Sequence, residues 1–124
     1  MLVVDGFHGK VVSIFKFQKG ADIMADSLGI LVSSDKHLDY VIELTTAAWE
    51  KGKKVRIFFT GRGVFLTQQP EFEKLVGKAK LSVCDVSFRA NGLEGDVPGV
   101  GFKDFATQAK NAEMIKECDR YLVF

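Results

Sequence analysis

The chain has 124 residues, of which 47% are hydrophobic and 27% charged, and its 17 basic and 16 acidic residues leave a formal net charge of +1. One domain of this length can bury a core, which argues against global disorder, and the balanced charge argues against direct binding of nucleic acid. No apolar run reaches the ~20 residues that a membrane span needs, and Asp5 and His8 interrupt the stretch that a secretory signal would need. We therefore expect a cytoplasmic protein that binds neither nucleic acid nor a membrane.

Residues 1–27 are predicted to form an N-terminal hairpin and a connector. Two β-prone runs, residues 2–4 and 11–17, flank a segment that begins with the turn-type pair Asp5-Gly6, and this pattern favours a β-hairpin. An isolated hairpin of this size is marginal in water. We therefore expect it to extend the edge of a sheet or to pack against another subunit.

A regular alternation of strands and helices begins at residue 28. Short apolar runs typical of buried strands occupy residues 28–32, 55–59, 81–84 and 121–124. Between them, apolar stripes or turn signals predict helices after residue 35, from Pro70, over residues 86–91 and along Phe105, Ala109, Ala112 and Ile115. Ser33, Ser34 and Asp35 offer N-cap chemistry to the first of these helices.

This alternation predicts a three-layer α/β/α sandwich with a mostly parallel sheet, because parallel strands need right-handed crossovers that cover both faces. The loops that follow the strands then emerge together at the carboxyl edge of the sheet, where open α/β folds bind their ligands. Residues 33–37, 60–64 and 84–87 should therefore converge.

Cys84 is the strongest candidate for a reactive residue because it lies where a buried strand gives way to a helix. Backbone N–H groups at that junction favour a thiolate, which is the reactive form of cysteine. Ser87 is predicted to cap the helix, and Arg89 and Lys80 to add positive charge, whereas Asp85 opposes ionisation. The alternative is that Cys84 is a small buried hydrophobe, as free cysteines often are.

Several motifs together resemble the DsrE/DsrF-like (TusD-like) sulphur-relay family. The run from Val55 to Val64, with its Gly61-Arg62-Gly63 loop, is similar to the second strand and glycine loop of that family. Val83-Cys84 with Ser87, followed by Asn91-Gly92-Leu93, is similar to its cysteine motif, and residues 112–124 to its last helix and strand. The resemblance covers residues 28–124. The segment before residue 28 has no counterpart in the family.

The resemblance implies a flavodoxin-like subunit that forms homo- or hetero-oligomers, and we expect a homo-oligomer, a trimer or a larger multiple. It also implies that Cys84 carries sulphane sulphur as a persulphide between donor and acceptor proteins, without a metal or an organic cofactor. Ser87 and Arg89 would support the thiol, and Gly61, Arg62 and Gly63 would form the opposing wall of the pocket. Arg62 stands where many members of the family have an acidic residue, so the charge of the pocket would differ.

Ser34 and His37 are further candidates because both lie on the predicted functional edge, although a helix-terminal histidine is commonly just solvated. Cys118 closes the last helix before a buried strand, which favours a packing role. Gly61-Arg62-Gly63 lacks the third glycine of a dinucleotide fingerprint, so close passage of the backbone past the neighbouring loop accounts for both glycines.

The sequence thus predicts a persulphide carrier, a sulphurtransferase in the broad sense. Two alternatives stay open. The chain can instead be a non-catalytic binding or assembly subunit that uses the same edge, or a thiol redox sensor. Reaction with persulphide but not with peroxide distinguishes the first function from the other two.

Overall fold

A sheet of parallel strands forms the centre of the fold. The computed structural model describes residues 2–4, 11–13 and 26–124. In chain order, the described strands are β1 (Leu2–Val4), β2 (Val11–Ser13), β3 (Ser27–Val32), β4 (Lys54–Phe59), β5 (Lys80–Cys84), β6 (Phe105–Ala106) and β7 (Arg120–Val123). They lie in the order β2-β1-β7-β3-β4-β5-β6, and the five from β7 to β6 are parallel.

Helical segments connect the parallel strands and cover both faces of the sheet. The α-helices are α1 (Leu38–Glu50), α2 (Asp85–Ala90) and α3 (Gln108–Glu117), and the 3-10 segments are Gly61–Gln68, Pro70–Leu75 and Phe102–Asp104. The predicted three-layer α/β/α sandwich, flavodoxin-like in architecture, is therefore confirmed. All four predicted strands of the domain lie in one sheet, and the first two of them pair in parallel from Ser27↔Lys54 to Val32↔Phe59.

The N-terminal strands extend one edge of this sheet. β1 pairs antiparallel with β2, and its other side pairs antiparallel with β7 through Val3↔Leu122. The predicted hairpin pairing, with β1 extending a sheet edge, is thus confirmed for residues 2–4 and 11–13. The rest of the predicted second run, residues 14–17, and most of the connector lie outside the described residues.

Among residues 26–124, the buried apolar side chains form two clusters, one on each face of the sheet. The larger, which we call the α1-side core, contains residues from alternate positions of the central strands, among them Ile30, Val32, Ile57, Phe59 and Val83. Alternation along a strand sends the intervening residues to the opposite face. There Phe58, Cys84, Met114, Cys118 and Tyr121 form the α3-side core beneath α3.

Two local predictions on the α1 side of the sheet are wrong. The segment from Pro70 forms a short 3-10 helix that ends at Leu75 instead of an α-helix, so one face of the sheet is covered by 3-10 turns and by α1. The predicted capping of α1 by residues 33–35 does not occur. The residue that precedes α1 is His37, whose φ of 72° is left-handed, and no side chain caps that helix. The Ser34 hydroxyl instead accepts the N–H of Lys36 at 3.1 Å within the loop.

The last predicted helix begins later than its apolar stripe suggests. Phe105 pairs with Val83 as part of β6, a short strand in a segment predicted to be helical. Thr107 then caps α3 by accepting the N–H of Ala109 at 3.3 Å. As a result Ala109 and Ala112 are exposed, and Met114 is the buried residue of the helix.

Candidate functional site

Cys84 lies at the junction between β5 and α2, as predicted. It is the last residue of β5 and the residue that precedes α2, with extended backbone angles of φ −70° and ψ 113°. Because side chains alternate along β5, the Cys84 side chain faces the α3-side core, where it lies in the same cluster as Phe58 and Met114. The residue is 5% exposed.

Four hydrogen-bond donors surround the Cys84 sulphur. Burial raises the pKa of this thiol, but the Ser87 hydroxyl and N–H, the Thr60 hydroxyl and the Val86 N–H oppose that effect, and the pKa ends below its ordinary value. This is the predicted direction. The cause differs from the predicted one, because α2 has six residues, so its dipole is small, and neutral donors account for the shift.

The two hydroxyl groups are themselves held by N–H donors. The Gly61 N–H donates to Ser87 Oγ at 3.0 Å, and Gln108 Nε2 donates to Thr60 Oγ1 at 2.8 Å. The two hydroxyl oxygens lie 3.4 Å apart. Since each oxygen already accepts an N–H, its own hydrogen is available for donation to a neighbouring acceptor. Ser87 therefore acts as a donor beside the sulphur and does not cap α2, which was its predicted role.

Asn91 ties the end of α2 to the glycine loop. Its Nδ2 donates to the carbonyl of Ser87 at 2.7 Å and to that of Gly61 at 3.4 Å. Gly61 has a φ of 52°, in the left-handed region that glycine tolerates best. The loop after β4 is thus joined to α2 through the Ser87 hydroxyl, which accepts the Gly61 N–H, and through Asn91, which donates to the Ser87 and Gly61 carbonyls. These bonds fix the position of the Ser87 hydroxyl beside Cys84.

Gly63 packs the same loop against the end of β3. A Cβ atom at this position would lie 2.2 Å from the Val32 carbonyl oxygen and 2.8 Å from its carbon, so a larger residue does not fit. The explanation predicted for both glycines, a backbone passing close to its neighbour, is confirmed for Gly63. A Cβ atom at Gly61 would lie 3.6 Å from the Ser33 carbonyl oxygen, an ordinary contact distance, so the positive φ and not close packing accounts for this glycine.

The charged residues near Cys84 are paired with one another. Arg89 Nε lies 3.1 Å from both carboxylate oxygens of Asp85, one turn earlier on α2. Lys80 Nζ lies 3.8 Å from Asp104. The contributions expected from Asp85 and Arg89 therefore offset each other beside the thiol.

The loop between β3 and α1 contains Ser34 and His37, and the neighbouring 3-10 turn contains Arg62. Arg62 forms an ion pair with Asp35 at 2.8 Å and stacks over the Phe65 ring, 5.1 Å from its centroid. The His37 ring contacts that of Tyr40. Together with the Gly61–Ser87 bond, the Arg62–Asp35 pair shows that the three predicted loops do meet at the carboxyl edge. Asp35 and His37 also line an open cleft of about 500 Å³ there.

Cys118 lies in the same α3-side core as Cys84, but the pKa of its thiol is shifted in the opposite direction. It is 2% exposed and lies against Gly29, where a Cβ atom would come within 3.2 Å of its sulphur. Burial raises the pKa of its thiol; the nearby Arg56 and the Ser27 hydroxyl oppose this, while Glu117 and Asp119 add to it. The predicted packing role fits this environment.

Two important residues of the site, Thr60 and Gln108, were not predicted to have a role in it. Thr60 follows β4 at the carboxyl edge, so its position in the chain was an available signal. Gln108 follows the unpredicted strand β6, and no local pattern marks it. The motif that contains Asn91 gives no indication of its side-chain bonds.

No group of three or more His, Cys, Asp or Glu side chains within the described residues is placed to hold a metal ion. None of the helices in that part of the chain is long and apolar enough to cross a membrane. The chain matches no protein-family model and no curated protein sequence.

Proposed function

We propose that this chain is a persulphide carrier that relays sulphane sulphur through Cys84. The observation that supports this proposal best is the set of four donors on the Cys84 sulphur, which lowers the pKa of that thiol despite its burial. A thiolate is the nucleophile in sulphur exchange, and its fraction sets the rate together with access. Cys118 has the opposite shift and no comparable set of donors.

The uptake step is an exchange in which atoms and electrons balance. The Cys84 thiolate attacks the outer sulphur of a donor persulphide, R–S–SH, so that a bond forms between Cys84 Sγ and that sulphur. The S–S bond of the donor breaks, R–S⁻ leaves, and the proton stays on the transferred sulphur. An acceptor thiolate then attacks the outer sulphur of Cys84–S–SH, and Cys84 leaves as a thiolate. No external oxidant or reductant is consumed.

The donors around Cys84 suit both steps. In the first they hold the attacking thiolate, and in the second they stabilise the same thiolate as it leaves. Val86, which is 70% exposed and directly follows Asp85 on α2, offers an apolar contact to a donor or acceptor protein. Arg89, 76% exposed on the same helix, offers a charged one.

The proposal includes an assembly and a cellular setting. The arrangement is a homo-oligomer, a trimer or a multiple of it, that works with separate sulphur donor and acceptor proteins in the cytoplasm, and the resemblance to DsrE-like proteins supports an oligomer. Light scattering at high micromolar concentration tests the assembly. A monomer under those conditions would contradict the oligomer without touching the chemistry of Cys84.

Intact mass spectrometry tests the chemistry directly. The wild-type protein, Cys84→Ser and Cys118→Ala are each incubated with a small persulphide donor, and the mass is read before and after addition of an acceptor thiol. We expect wild type and Cys118→Ala to gain sulphur and to lose it again to the acceptor, whereas Cys84→Ser gains none. Equal uptake by Cys84→Ser would refute the proposal.

The binding or assembly subunit remains the alternative that one specific observation favours, namely the 5% exposure of Cys84 within the α3-side core. A protein of this kind leaves Cys84 unchanged by persulphide and by hydrogen peroxide alike. A redox sensor reacts with peroxide, so parallel incubation with peroxide separates all three functions.

A further inference from the structure

Gln108 links helix α3 to the donors of the Cys84 site. It is the first residue of α3, and capping of this helix is carried out by Thr107, whose hydroxyl accepts the Ala109 N–H. The Gln108 side chain instead reaches Thr60, 48 residues earlier in the chain, with Nε2 2.8 Å from Oγ1. This contact joins the helix on one face of the sheet to the loop after β4.

The direction of donation at Thr60 follows from the chemistry of the hydroxyl group. Thr60 Oγ1 accepts the Gln108 amide hydrogen, so its own hydrogen is free to point to another acceptor. The neighbouring acceptors are Ser87 Oγ, 3.4 Å away, and the Cys84 sulphur. Either hydroxyl can donate to the other, and whichever does so leaves the second hydrogen for the Cys84 sulphur. If neither donates to the other, both hydrogens are free to point to the sulphur.

The geometry points to Gln108 as a positioning residue for sulphur transfer at Cys84, acting through the Thr60 hydroxyl. This inference rests on the proposed function, since it assigns Gln108 a part in the same site. The amide does not touch the sulphur. Its effect is to fix Thr60 as a donor, and a side chain that accepts a hydrogen bond at position 108 would draw the Thr60 hydrogen away from the sulphur.

The test is the pH dependence of Cys84 alkylation by iodoacetamide, read by peptide mass spectrometry. Gln108→Met, which keeps the size of the side chain but has no N–H, should raise the midpoint by about half a pH unit. Gln108→Glu should raise it further, because a carboxylate accepts from Thr60. Ala109→Glu, at an exposed neighbouring position, adds the same charge without removing the bond and should produce a smaller shift.

A pair of variants shows whether Gln108 acts through Thr60. In a Thr60→Val background Gln108→Met should cause no further shift, while Thr60→Ser, which retains the hydroxyl, should preserve the dependence on Gln108. An equal shift in the Thr60→Val background, or no shift from Gln108→Met in the wild type, would overturn the inference. A structural defect that loosens the site would reduce the burial that raises the thiol pKa, and its effect would not depend on the Thr60 hydroxyl.

Separate readouts distinguish failure of this inference from failure of the proposed function. Alkylation does not require persulphide uptake. A midpoint that depends on Gln108 in a protein that takes up no persulphide would refute the sulphur-transfer role and with it this inference, leaving only a thiol held by Thr60. Persulphide uptake with a midpoint that is indifferent to Gln108 would overturn the inference and leave the proposed function standing.

Discussion

Replacing Ser87 with alanine removes a hydroxyl that both donates to the Cys84 sulphur and accepts the Gly61 N–H. A hydrogen bond to a charged group contributes about 1.5–3 kcal/mol, and one pKa unit corresponds to about 1.4 kcal/mol. Because three other donors remain, we take the lower value and expect the Cys84 pKa to rise by about one unit. Below the midpoint, the thiolate fraction then falls about tenfold.

The assay is the rate of Cys84 alkylation between about pH 6 and pH 10, with Cys118→Ala in both backgrounds so that one thiol is read. Ser34→Ala is the matched control, since the Ser34 hydroxyl accepts the Lys36 N–H on a neighbouring loop. The midpoint of Ser87→Ala should move upward and that of Ser34→Ala should not. An unchanged midpoint in Ser87→Ala, or an equal shift in both variants, would refute the assignment of Ser87 as a donor to the thiolate.

Three further predictions concern stability. Gly63→Ala should lower the free energy of unfolding in urea by about 3 kcal/mol or more, because the new Cβ meets backbone atoms. Gly101→Ala is the control, since its new Cβ would lie 3.5 Å from Asp104 Oδ2, and its free energy of unfolding should stay close to that of the wild type. Thr45→Val should raise the melting temperature by a few degrees. The Thr45 hydroxyl is fully buried without a hydrogen-bond partner, so a methyl group in its place removes an unsatisfied polar group. An unchanged or lower melting temperature would contradict this. Hydrogen bonds from the Asp26 N–H and from Ser27 hold the Asp119 pKa below its ordinary value despite some burial. The stabilisation by the ionised Asp119 is therefore complete above the ordinary pKa of the carboxyl group and is lost as the pH falls through its lowered pKa in the folded protein. Asp119→Asn should flatten the pH dependence of the free energy of unfolding in urea in the acid range. An unchanged slope would contradict this prediction.

The strands of this protein were predictable because each is a short apolar run whose pattern is local in the sequence. Residues 28–32 and 55–59 lie side by side in the centre of the sheet, where both faces are covered, and this burial selects continuous apolar residues. The position of Cys84 at the end of such a run was predictable for the same reason. β6 was not predicted because a strand of two residues is too short to show a hydrophobic period, and because it is defined by its pairing with β5.

The tertiary structure alone decided which groups act on Cys84. Gly61 and Ser87 are 26 residues apart in the chain, and Thr60 and Gln108 are 48 apart, so no local pattern records their bonds. The sequence suggested Arg89 as support because it is close in the chain, yet Arg89 lies one helical turn from Asp85 and pairs with it. Periodicity determines which residues become strands and helices, since it reflects burial along one element. Hydrogen-bond partners depend on which loops the parallel sheet brings to its carboxyl edge, and that arrangement exists only in the folded chain.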